Sequence, residues 1–277
     1  MDDLIRDLNA GCRVLDLGAG GGSFGYVSTA ADVFALDLDF PASAQDCRGR
    51  SLGNSQQLPF LDQVFDVVVC NHTLEHFEGP EKALGEIGRV VKPGGHLWIA
   101  VPDGFGFDDH LYRWLFEGGG HVNRFSLETL VQMVEMDSSL RAIRYKRLHT
   151  GFVYLNPPDP AKLRHYPRRA RRLARIIPRF TLVWSSRRLN WLVRVLDRWF
   201  GCSLSLYGFG VVFESRGGEL AAKPLEESLP EIPADRNVCM ACGCGHPSSG
   251  LRPILKGRLI WRSYVCPLCG AKNFFAS

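Results

Sequence analysis

The 277-residue sequence predicts an α/β protein whose main domain is a doubly wound parallel sheet, followed by a small cysteine-rich tail. Three observations support this prediction. Short apolar runs alternate with segments of helical periodicity over about the first 150 residues, a pattern typical of parallel α/β sheets. A glycine-rich turn follows the first apolar run. Two CxxC pairs lie near the end of the chain.

The composition excludes several other classes of protein. Apolar residues make up 45% of the chain, charged residues 22% and aromatic residues 11%, as in ordinary globular proteins and unlike disordered, collagen-like or coiled-coil chains. No stretch approaches the roughly 20 apolar residues that a membrane-spanning helix needs. The acidic N-terminal segment lacks the apolar core of a secretory signal. We therefore expect a cytoplasmic protein, in which paired cysteines favour metal binding over disulfides.

Charge is distributed unevenly along the chain. Residues 1–150 carry a formal net charge of −8, residues 151–217 carry +10, and residues 218–277 carry +2. The middle segment is therefore a distinct basic block, and its charge predicts an anionic partner.

The predicted strands are short, rich in Val, Leu and Ile, and bounded by Gly, Pro or Asp. They span Cys12–Leu17, Asp32–Leu36, Phe65–Cys70 and His96–Val101, with two later strands at Arg141–His149 and Ser205–Glu214. A helix near Pro80–Val91 is expected to end where Lys92-Pro93-Gly94-Gly95 begins, because this sequence stops helices. A second helix is predicted to begin after Ser126, which is a favourable N-cap.

These patterns divide the chain into three parts. Residues 1–215 form the main domain, with a basic helical insertion at 157–204. Residues 216–236 are rich in Pro, Glu and Ala and predict a linker. Residues 237–277 form the cysteine-bearing tail, which is short enough to need a metal or a disulfide to fold.

The glycine-rich turn is the most informative segment. It places one carboxylate and three glycines at alternate positions: Asp16, Gly18, Gly20 and Gly22. Glycines there allow the backbone to approach a ligand closely. Asp37 ends the next strand, where a carboxylate can accept hydrogen bonds from both hydroxyls of a ribose. A nicotinamide cofactor is disfavoured, because Ser23 stands where the dinucleotide fingerprint needs its third glycine and Asp16 would repel a pyrophosphate.

This spacing resembles that of the class I S-adenosylmethionine (SAM)-dependent methyltransferases, especially the branch that includes quinone-biosynthesis enzymes. Further elements match the family in order: Asn54–Phe60, Phe65–Val69, Leu74–His76 and Glu86–Gly95. The resemblance covers about residues 12–150 and resumes at 205–214. It implies a Rossmann-like methyltransferase sheet with SAM as the cofactor.

In that family the glycine loop wraps the methionine part of SAM, and the acidic residue ending the second strand binds the ribose. The resemblance therefore implies cofactor contacts from Asp16, Gly18, Gly20, Gly22, Asp37, Leu38, Asn54, Ser55, Gln56 and Asn71. Leu38 would lie beside the adenine. Asn54 replaces the usual acidic residue, and its amide oxygen would make a weaker bond to the adenine amino group.

The acceptor of the methyl group is expected beyond the carboxyl ends of the strands, where ligands of open α/β sheets bind. An oxygen acceptor also has to lose its proton, which a histidine can accept. The candidate catalytic residues are His121, His76 and Tyr112. His121 follows three glycines and is expected in a mobile loop. The alternatives are a solvated loop position for His121 and a helix-packing role for His76.

The basic insertion contains two amphipathic segments. In residues 168–177, five arginines surround a narrow apolar face, whereas residues 187–200 have a broader one bearing Trp and Phe. The second segment is expected to pack on its own domain. The first favours either an anionic membrane surface or an RNA backbone. We prefer the membrane, because aromatic amphipathic helices can also cover an apolar acceptor.

The tail contains two CxxCG knuckles with ligands at Cys239, Cys242, Cys266 and Cys269. Four thiolates from two knuckles form a closed tetrahedral Zn²⁺ site, which is structural because no coordination position is open. The pattern resembles a zinc ribbon, with a hairpin at Leu251–Val265 between the knuckles. The alternative is a redox-active or disulfide-bonded tail.

The predicted function is SAM-dependent transfer of a methyl group to oxygen or carbon of a small-molecule or lipid-like acceptor. The protein would be cytoplasmic, with peripheral association at the inner membrane face as a further expectation. One alternative is an rRNA or tRNA methyltransferase that grips RNA with the insertion and the ribbon. Asn71 is not followed by the Pro-Pro-Tyr of base-amine methyltransferases, which argues against it. The other alternative is a noncatalytic SAM-binding adaptor.

Overall fold

A computed structural model describes residues 1–149 except 7 and 43, residues 166–176, and residues 189–215 except 190 and 198. In the tail it describes residues 226–227, 236–238, 245–247, 253–254, 263–265, 267 and 272–274.

Within these described ranges the main domain consists of eight strands and five named helices, and residues 191–197 are also helical. The strands are β1 (Arg13–Leu17), β2 (Asp32–Asp37), β3 (Gly49–Leu52), β4 (Phe65–Asn71), β5 (Val91–Pro102), β6 (Leu140–His149), β7 (Leu206–Ser215) and β8 (Glu226–Glu227). The helices are α1 (Asp2–Arg6), α2 (Pro80–Val90), α3 (Phe107–Phe116), α4 (Leu127–Ser138) and α5 (Arg168–Ile176). Two 3₁₀ turns occupy Tyr26–Ser28 and Leu74–His76.

The strands form one mixed sheet in the order β3-β2-β1-β4-β5-β7-β6-β8. Strands β1 to β5 pair in parallel, whereas β7 is antiparallel to both β5 and β6. From β1 the chain moves outward to β2 and β3, then returns to the other side of β1 with β4. The predicted doubly wound fold is therefore confirmed, and its switch point between β1 and β4 is where such sheets bind ligands.

Both faces of the sheet are buried, as parallel strands require. On one face, strand residues pack against α2 and α4; this cluster includes Leu15, Leu17, Val68, Cys70, Leu97, Ile99, Leu84, Ile87, Leu130 and Val134. On the other face, the alternate strand residues pack against the N-terminal segment and the first 3₁₀ turn; this cluster includes Val14, Val67, Val69, Trp98, Ala100, Ile5, Phe24 and Tyr26.

The predicted strands and helices of the main domain are confirmed, with ends that differ by a few residues. Ser126 caps α4 as expected, and its hydroxyl accepts from the backbone N–H of Thr129 in a capping box. The predicted turn at Lys92–Gly95 is a bulge inside β5, because Val91 already pairs with Phe65. Strand β3 and helices α1 and α3 were not predicted from the sequence.

The predicted linker contributes β8, which pairs in parallel with β6 at the sheet edge. In the tail, β9 (Arg236–Val238) pairs with β10 (Gly245–Pro247). Strands β11 (Pro253–Ile254), β12 (Ser263–Val265) and β13 (Lys272–Phe274) form an antiparallel sheet, so the hairpin expected there is present. The four predicted zinc ligands lie outside the described residues.

The basic insertion is described in part. Its arginine-rich segment forms α5, and residues 191–197 are helical. We expected the second segment to pack on its own domain, yet only Val193 of its apolar face is buried, while Leu192, Trp199 and Phe200 are exposed. The expected packing is therefore absent for these three side chains. Among the described residues, no helix is both long and apolar enough to cross a membrane.

Helices α2 and α4 approach closely at Gly88. A Cβ atom added there would lie 2.2 Å from the backbone oxygen of Ser138, the last residue of α4. Gly85, one turn earlier in α2, is exposed, and an added Cβ would meet the Asp137 oxygen at an ordinary 3.7 Å.

We predict that Gly88→Ala destabilises the protein by about 1–3 kcal/mol, because backbone atoms have to move apart. The matched variant Gly85→Ala should be neutral or stabilising by about 0.5–1 kcal/mol, the usual gain from alanine in a helix. Urea unfolding of both variants measures the difference. Equal stability of the two variants would show that the close approach is not a constraint.

Candidate functional site

The glycine loop leaves β1 at the switch point of the sheet. All three of its predicted key glycines have left-handed backbone, with φ of +68° at Gly18, +50° at Gly20 and +113° at Gly22. A Cβ at Gly18 would lie 2.0 Å from Cγ2 of Thr73. At Gly20, no described atom lies within 4 Å of an added Cβ. The loop therefore packs on the β4 loop at Gly18 and faces open space at Gly20.

Asp16 holds this loop from below. Its side chain is fully buried at the end of β1 and accepts hydrogen bonds from the Ser23 backbone N–H, the Ser23 hydroxyl and the Tyr26 hydroxyl, at 2.6–2.8 Å. Burial raises the pKa of Asp16, against the effect of these hydrogen bonds. In this structure Asp16 fixes the loop conformation, while its contact with the cofactor stays a prediction.

Asp37 lies at the carboxyl end of β2, beside the loop. Its Oδ2 accepts from the backbone N–H of Gly20 at 2.7 Å, and its Oδ1 accepts from Asp39 at 3.2 Å. The neighbouring Leu38 is 78% exposed. Because each carboxylate oxygen has two acceptor positions, Asp37 can still accept hydrogen bonds from a ligand.

The segment after β3 closes this side of the site. Asn54 accepts through Oδ1 from the backbone N–H of Gln56 at 2.9 Å, and Ser55 is buried. The backbone of Leu58 is held at both ends by α2, because its N–H donates to Glu86 and its oxygen accepts from Arg89. Helix α2 thus positions the segment that carries three predicted cofactor residues.

A second group of polar side chains gathers where β4 and β5 end. His121 is stacked on Tyr112, with ring centroids 4.8 Å apart, and lies 4.9 Å from the ring of His76. The structure therefore brings together all three predicted catalytic residues. Asp109 and Arg113, which the sequence analysis missed, hold His121 in place.

Asp109 is buried in α3, and its carboxylate accepts hydrogen bonds from two side chains. Its Oδ1 accepts from Nδ1 of His121 at 2.9 Å, and its Oδ2 accepts from Nε of Arg113 at 2.5 Å. Burial alone would raise the pKa of Asp109, but the bonds from His121 and Arg113 lower it below its ordinary value. Asp109 is therefore an ionised acceptor that fixes the tautomer of His121.

The loop that carries His121 is not free, contrary to our expectation of a mobile loop. Arg113 donates to the backbone oxygens of His121 and Asn123, and the Asn123 amide donates to the oxygens of Leu74 and Phe77. The side chain of His121 is only 9% exposed. Its three preceding glycines all have positive φ, so they form a fixed turn that brings the imidazole against α3.

Glu75 lies beneath the two histidines in the second 3₁₀ turn. Its side chain is 1% exposed, and its Oε2 has no hydrogen-bond partner among the described residues. Burial raises the pKa of Glu75 to about 8. A buried carboxylate oxygen without a partner is unusual and needs an explanation.

His72 and Tyr207 complete the wall of this group. The Tyr207 hydroxyl lies 3.3 Å from Nδ1 of His72, whose backbone has a φ of +54°. Burial, followed by the charges of His121 and His76, lowers the pKa of His72 to about 4. His72 is therefore a neutral side chain in this wall.

The two parts of the site are adjacent. Thr73 contacts the glycine loop, with its hydroxyl 3.4 Å from the backbone oxygen of Gly18, and Glu75 follows two residues later. Asn71 precedes them at the end of β4, and its backbone oxygen accepts from Thr73. A ligand on the glycine loop would therefore lie next to the second group of polar side chains. We call this group, which contains Glu75, His76, Tyr112 and His121, the histidine group.

The N-terminal part of the chain is similar to known methyltransferases. Residues 15–99, which run from β1 into β5, match the family described as "Methyltransferase domain". A demethylmenaquinone methyltransferase of Renibacterium salmoninarum is 39% identical over 97 residues, covering 32% of this chain and 41% of the relative. A ubiquinone biosynthesis O-methyltransferase of Xanthomonas oryzae is 35% identical over 105 residues, covering 33% and 44%. The chain thus spans less than half the length of these relatives.

A solved structure from Galdieria sulphuraria, described as a candidate sarcosine dimethylglycine methyltransferase, superimposes with a TM-score of 0.50 at 16% identity. The superposition covers 78% of this chain and 82% of that one, and it supports the fold alone. With the doubly wound sheet and the glycine loop, the match over residues 15–99 supports a class I SAM-dependent methyltransferase domain.

We predict that Asp37→Asn weakens SAM binding by about 10–100-fold, since a hydrogen bond to a charged group contributes roughly 1.5–3 kcal/mol. Isothermal titration calorimetry measures this change. The control is Asp39→Asn, which removes an exposed carboxylate two residues away and should leave the affinity unchanged. Similar affinities of both variants would exclude Asp37 as the ribose acceptor.

Proposed function

We propose that the protein transfers a methyl group from SAM to an oxygen or carbon of a small-molecule or lipid-like acceptor. The observation that supports this most directly is the juxtaposition of the glycine loop with the histidine group, linked by Gly18 and Thr73. The glycine loop and Asp37 offer backbone groups and a carboxylate for a nucleoside, and the histidine group offers imidazoles for the acceptor.

The residues of the loop fit SAM. The space above Gly20 is open, so a ligand can approach the backbone there, and Asp37 keeps acceptor capacity for ribose hydroxyls. We assign the methionine part to Asp16, Gly18, Gly20 and Gly22, and the ribose to Asp37. The adenine would lie between Leu38 and the segment Asn54, Ser55 and Gln56, with Asn71 below.

When bound, SAM supplies a methyl group on a sulfonium centre, which is already electrophilic. The protein then has to align the acceptor and keep water away. An oxygen acceptor must also lose one proton per transfer. Nε2 is the nitrogen of His121 that can offer a lone pair, because Nδ1 donates to Asp109. That lone pair can accept the proton directly or hold a cation that ionises the acceptor.

The acceptor class is proposed from the relatives. Their names describe methylation in menaquinone and ubiquinone synthesis, and a further relative from Methylococcus capsulatus is named malonyl-[acyl-carrier protein] O-methyltransferase, with 31% identity over 133 residues. From these names we propose only a broad class of acceptor for this protein, a small molecule or a lipid-like molecule.

The basic helix α5 supports a cytoplasmic location with peripheral association at the inner face of an anionic membrane. Arg169 stacks 5.6 Å from the ring centroid of Trp114 on α3, which is 58% exposed. Exposed Trp191, Trp199 and Phe200 add aromatic surface. Arginines with neighbouring aromatics are the composition of interfacial helices. RNA is the competing partner for the same charge.

We also propose that the tail binds a structural zinc ion through Cys239, Cys242, Cys266 and Cys269. Cys239 directly follows β9, and Cys266 directly follows β12. Each knuckle therefore begins directly after a strand, in a tail small enough to need a metal or a disulfide to fold.

The first test incubates the protein with methyl-labelled SAM and a lysate of the organism that carries it, then separates lipid, small-molecule and RNA fractions. We expect label in the lipid or small-molecule fraction. Label in RNA alone would establish the RNA methyltransferase alternative and make α5 part of an RNA-binding surface.

The second test uses His121→Ala. We expect turnover to fall by about 100-fold or more, the usual contribution of a positioned proton-handling group, with unchanged SAM affinity. The control is His96→Gln, which changes a histidine of β5 that lies beside Glu214 of β7 and outside the histidine group. If SAM binds but no fraction is labelled and His121→Ala changes nothing, the noncatalytic adaptor alternative holds.

A further inference from the structure

The histidine group contains a complete set of potential metal ligands. One ligand atom each from Glu75, His76 and His121 lies within 4.8 Å of the others. Two imidazoles and one carboxylate on one side of a metal ion form a common three-residue site for catalytic transition metals. They leave further coordination positions open.

Both imidazoles have the kind of Nδ1 partner that metal-binding histidines have. Nδ1 of His76 lies 2.9 Å from the backbone oxygen of Gly120, and Nδ1 of His121 lies 2.9 Å from Oδ1 of Asp109. A carbonyl and a carboxylate only accept, so both Nδ1 atoms carry the proton. Each ring therefore presents the lone pair of Nε2. Metal-binding histidines are almost always held through their other nitrogen in this way.

Glu75 supplies an independent observation. Its carboxylate is 1% exposed, and its Oε2 has no hydrogen-bond partner among the described residues. Nδ1 of His72 lies 3.9 Å from Oε1 of Glu75. A buried carboxylate oxygen that has no hydrogen-bond partner is costly unless the group is protonated or a cation compensates its charge. A divalent ion between Oε2 and the two imidazoles would do so.

We infer that Glu75, His76 and His121 bind one divalent transition-metal ion, with Zn²⁺ as its representative, and that the ion binds the acceptor oxygen. Imidazole ligands favour such ions over Mg²⁺ and Ca²⁺. Asp109 is then a positioning residue, which orients His121 towards the ion.

The ion specifies how the acceptor loses its proton. A hydroxyl that coordinates a divalent cation ionises near neutral pH; its proton passes to water, and both electrons of the O–H bond stay on the oxygen. The oxygen nucleophile formed in this way lies beside the glycine loop, because Thr73 joins the two parts of the site. This catalytic consequence depends on the proposed function, whereas metal binding itself does not.

The test uses Co²⁺ as a spectroscopic probe of the full chain under reducing conditions, without SAM. The cysteine tail would give cobalt bands that include thiolate-to-metal charge transfer, which a site of imidazoles and a carboxylate lacks. The difference between the wild type and Glu75→Gln isolates the histidine group, since glutamine keeps the size of the side chain. His96→Gln is the matched control, and thermal unfolding confirms that each variant is folded.

We expect the wild type and His96→Gln to bind one more equivalent of Co²⁺ than Glu75→Gln, without added charge-transfer absorbance. The affinity of this site should fall by at least about 100-fold in Glu75→Gln, because losing even a supporting partner of a ligand weakens metal binding by about 10–100-fold. Identical cobalt stoichiometry and spectra for wild type and Glu75→Gln would overturn the inference.

Assays of methyl transfer with and without metal test this inference separately from the proposed function. Full transfer by chelator-treated protein would overturn the catalytic role of the ion and leave the methyltransferase function intact. Cobalt binding that depends on Glu75, in a protein that labels no acceptor with any metal, would support the metal site and refute the proposed function. Loss of transfer on chelation, with recovery on adding Zn²⁺, supports both.

Discussion

The close contact between Gly18 and Thr73 is the constraint on which the rest of the site depends. It joins the loop after β1 to the loop after β4 across the switch point of the sheet, where two diverging chain directions leave a crevice. The left-handed backbone of Gly18 is compatible with this contact only without a side chain. Asp16 then fixes the far end of the glycine loop through Ser23 and Tyr26.

The sequence was sufficient for the fold of the main domain because its strands are short apolar runs with clear ends. Strand β4 and the capped start of α4 are examples in which local pattern and tertiary structure agree. Strand β3 was missed because Gly49–Leu52 includes an arginine and a serine and lies at the edge of the sheet. Its pairing with β2 is decided by tertiary contacts, which a local pattern does not contain.

The site was predictable to a similar depth. His76, Tyr112 and His121 could be proposed because strand ends of a parallel sheet converge, and the structure brings them together. Asp109 could not be found in this way. It lies in a helix whose sequence has two consecutive aspartates, and only the turn of the chain after Glu117 shows that Asp109 faces His121. The burial of Glu75 could not be predicted either, because it lies in a short 3₁₀ turn without a periodic sequence pattern that would show which side chains face inward.

The side chain of Arg113 joins α3 to the loop that follows it, because it binds the carboxylate of Asp109 and the backbone oxygens of His121 and Asn123. Because these bonds already hold the loop, binding of an acceptor would not have to order it. In flexible sites, ordering a loop on binding costs entropy and therefore affinity. This cost is avoided here. The same rigidity limits the range of acceptors, since a wall held by one arginine cannot adapt its shape to molecules of different size.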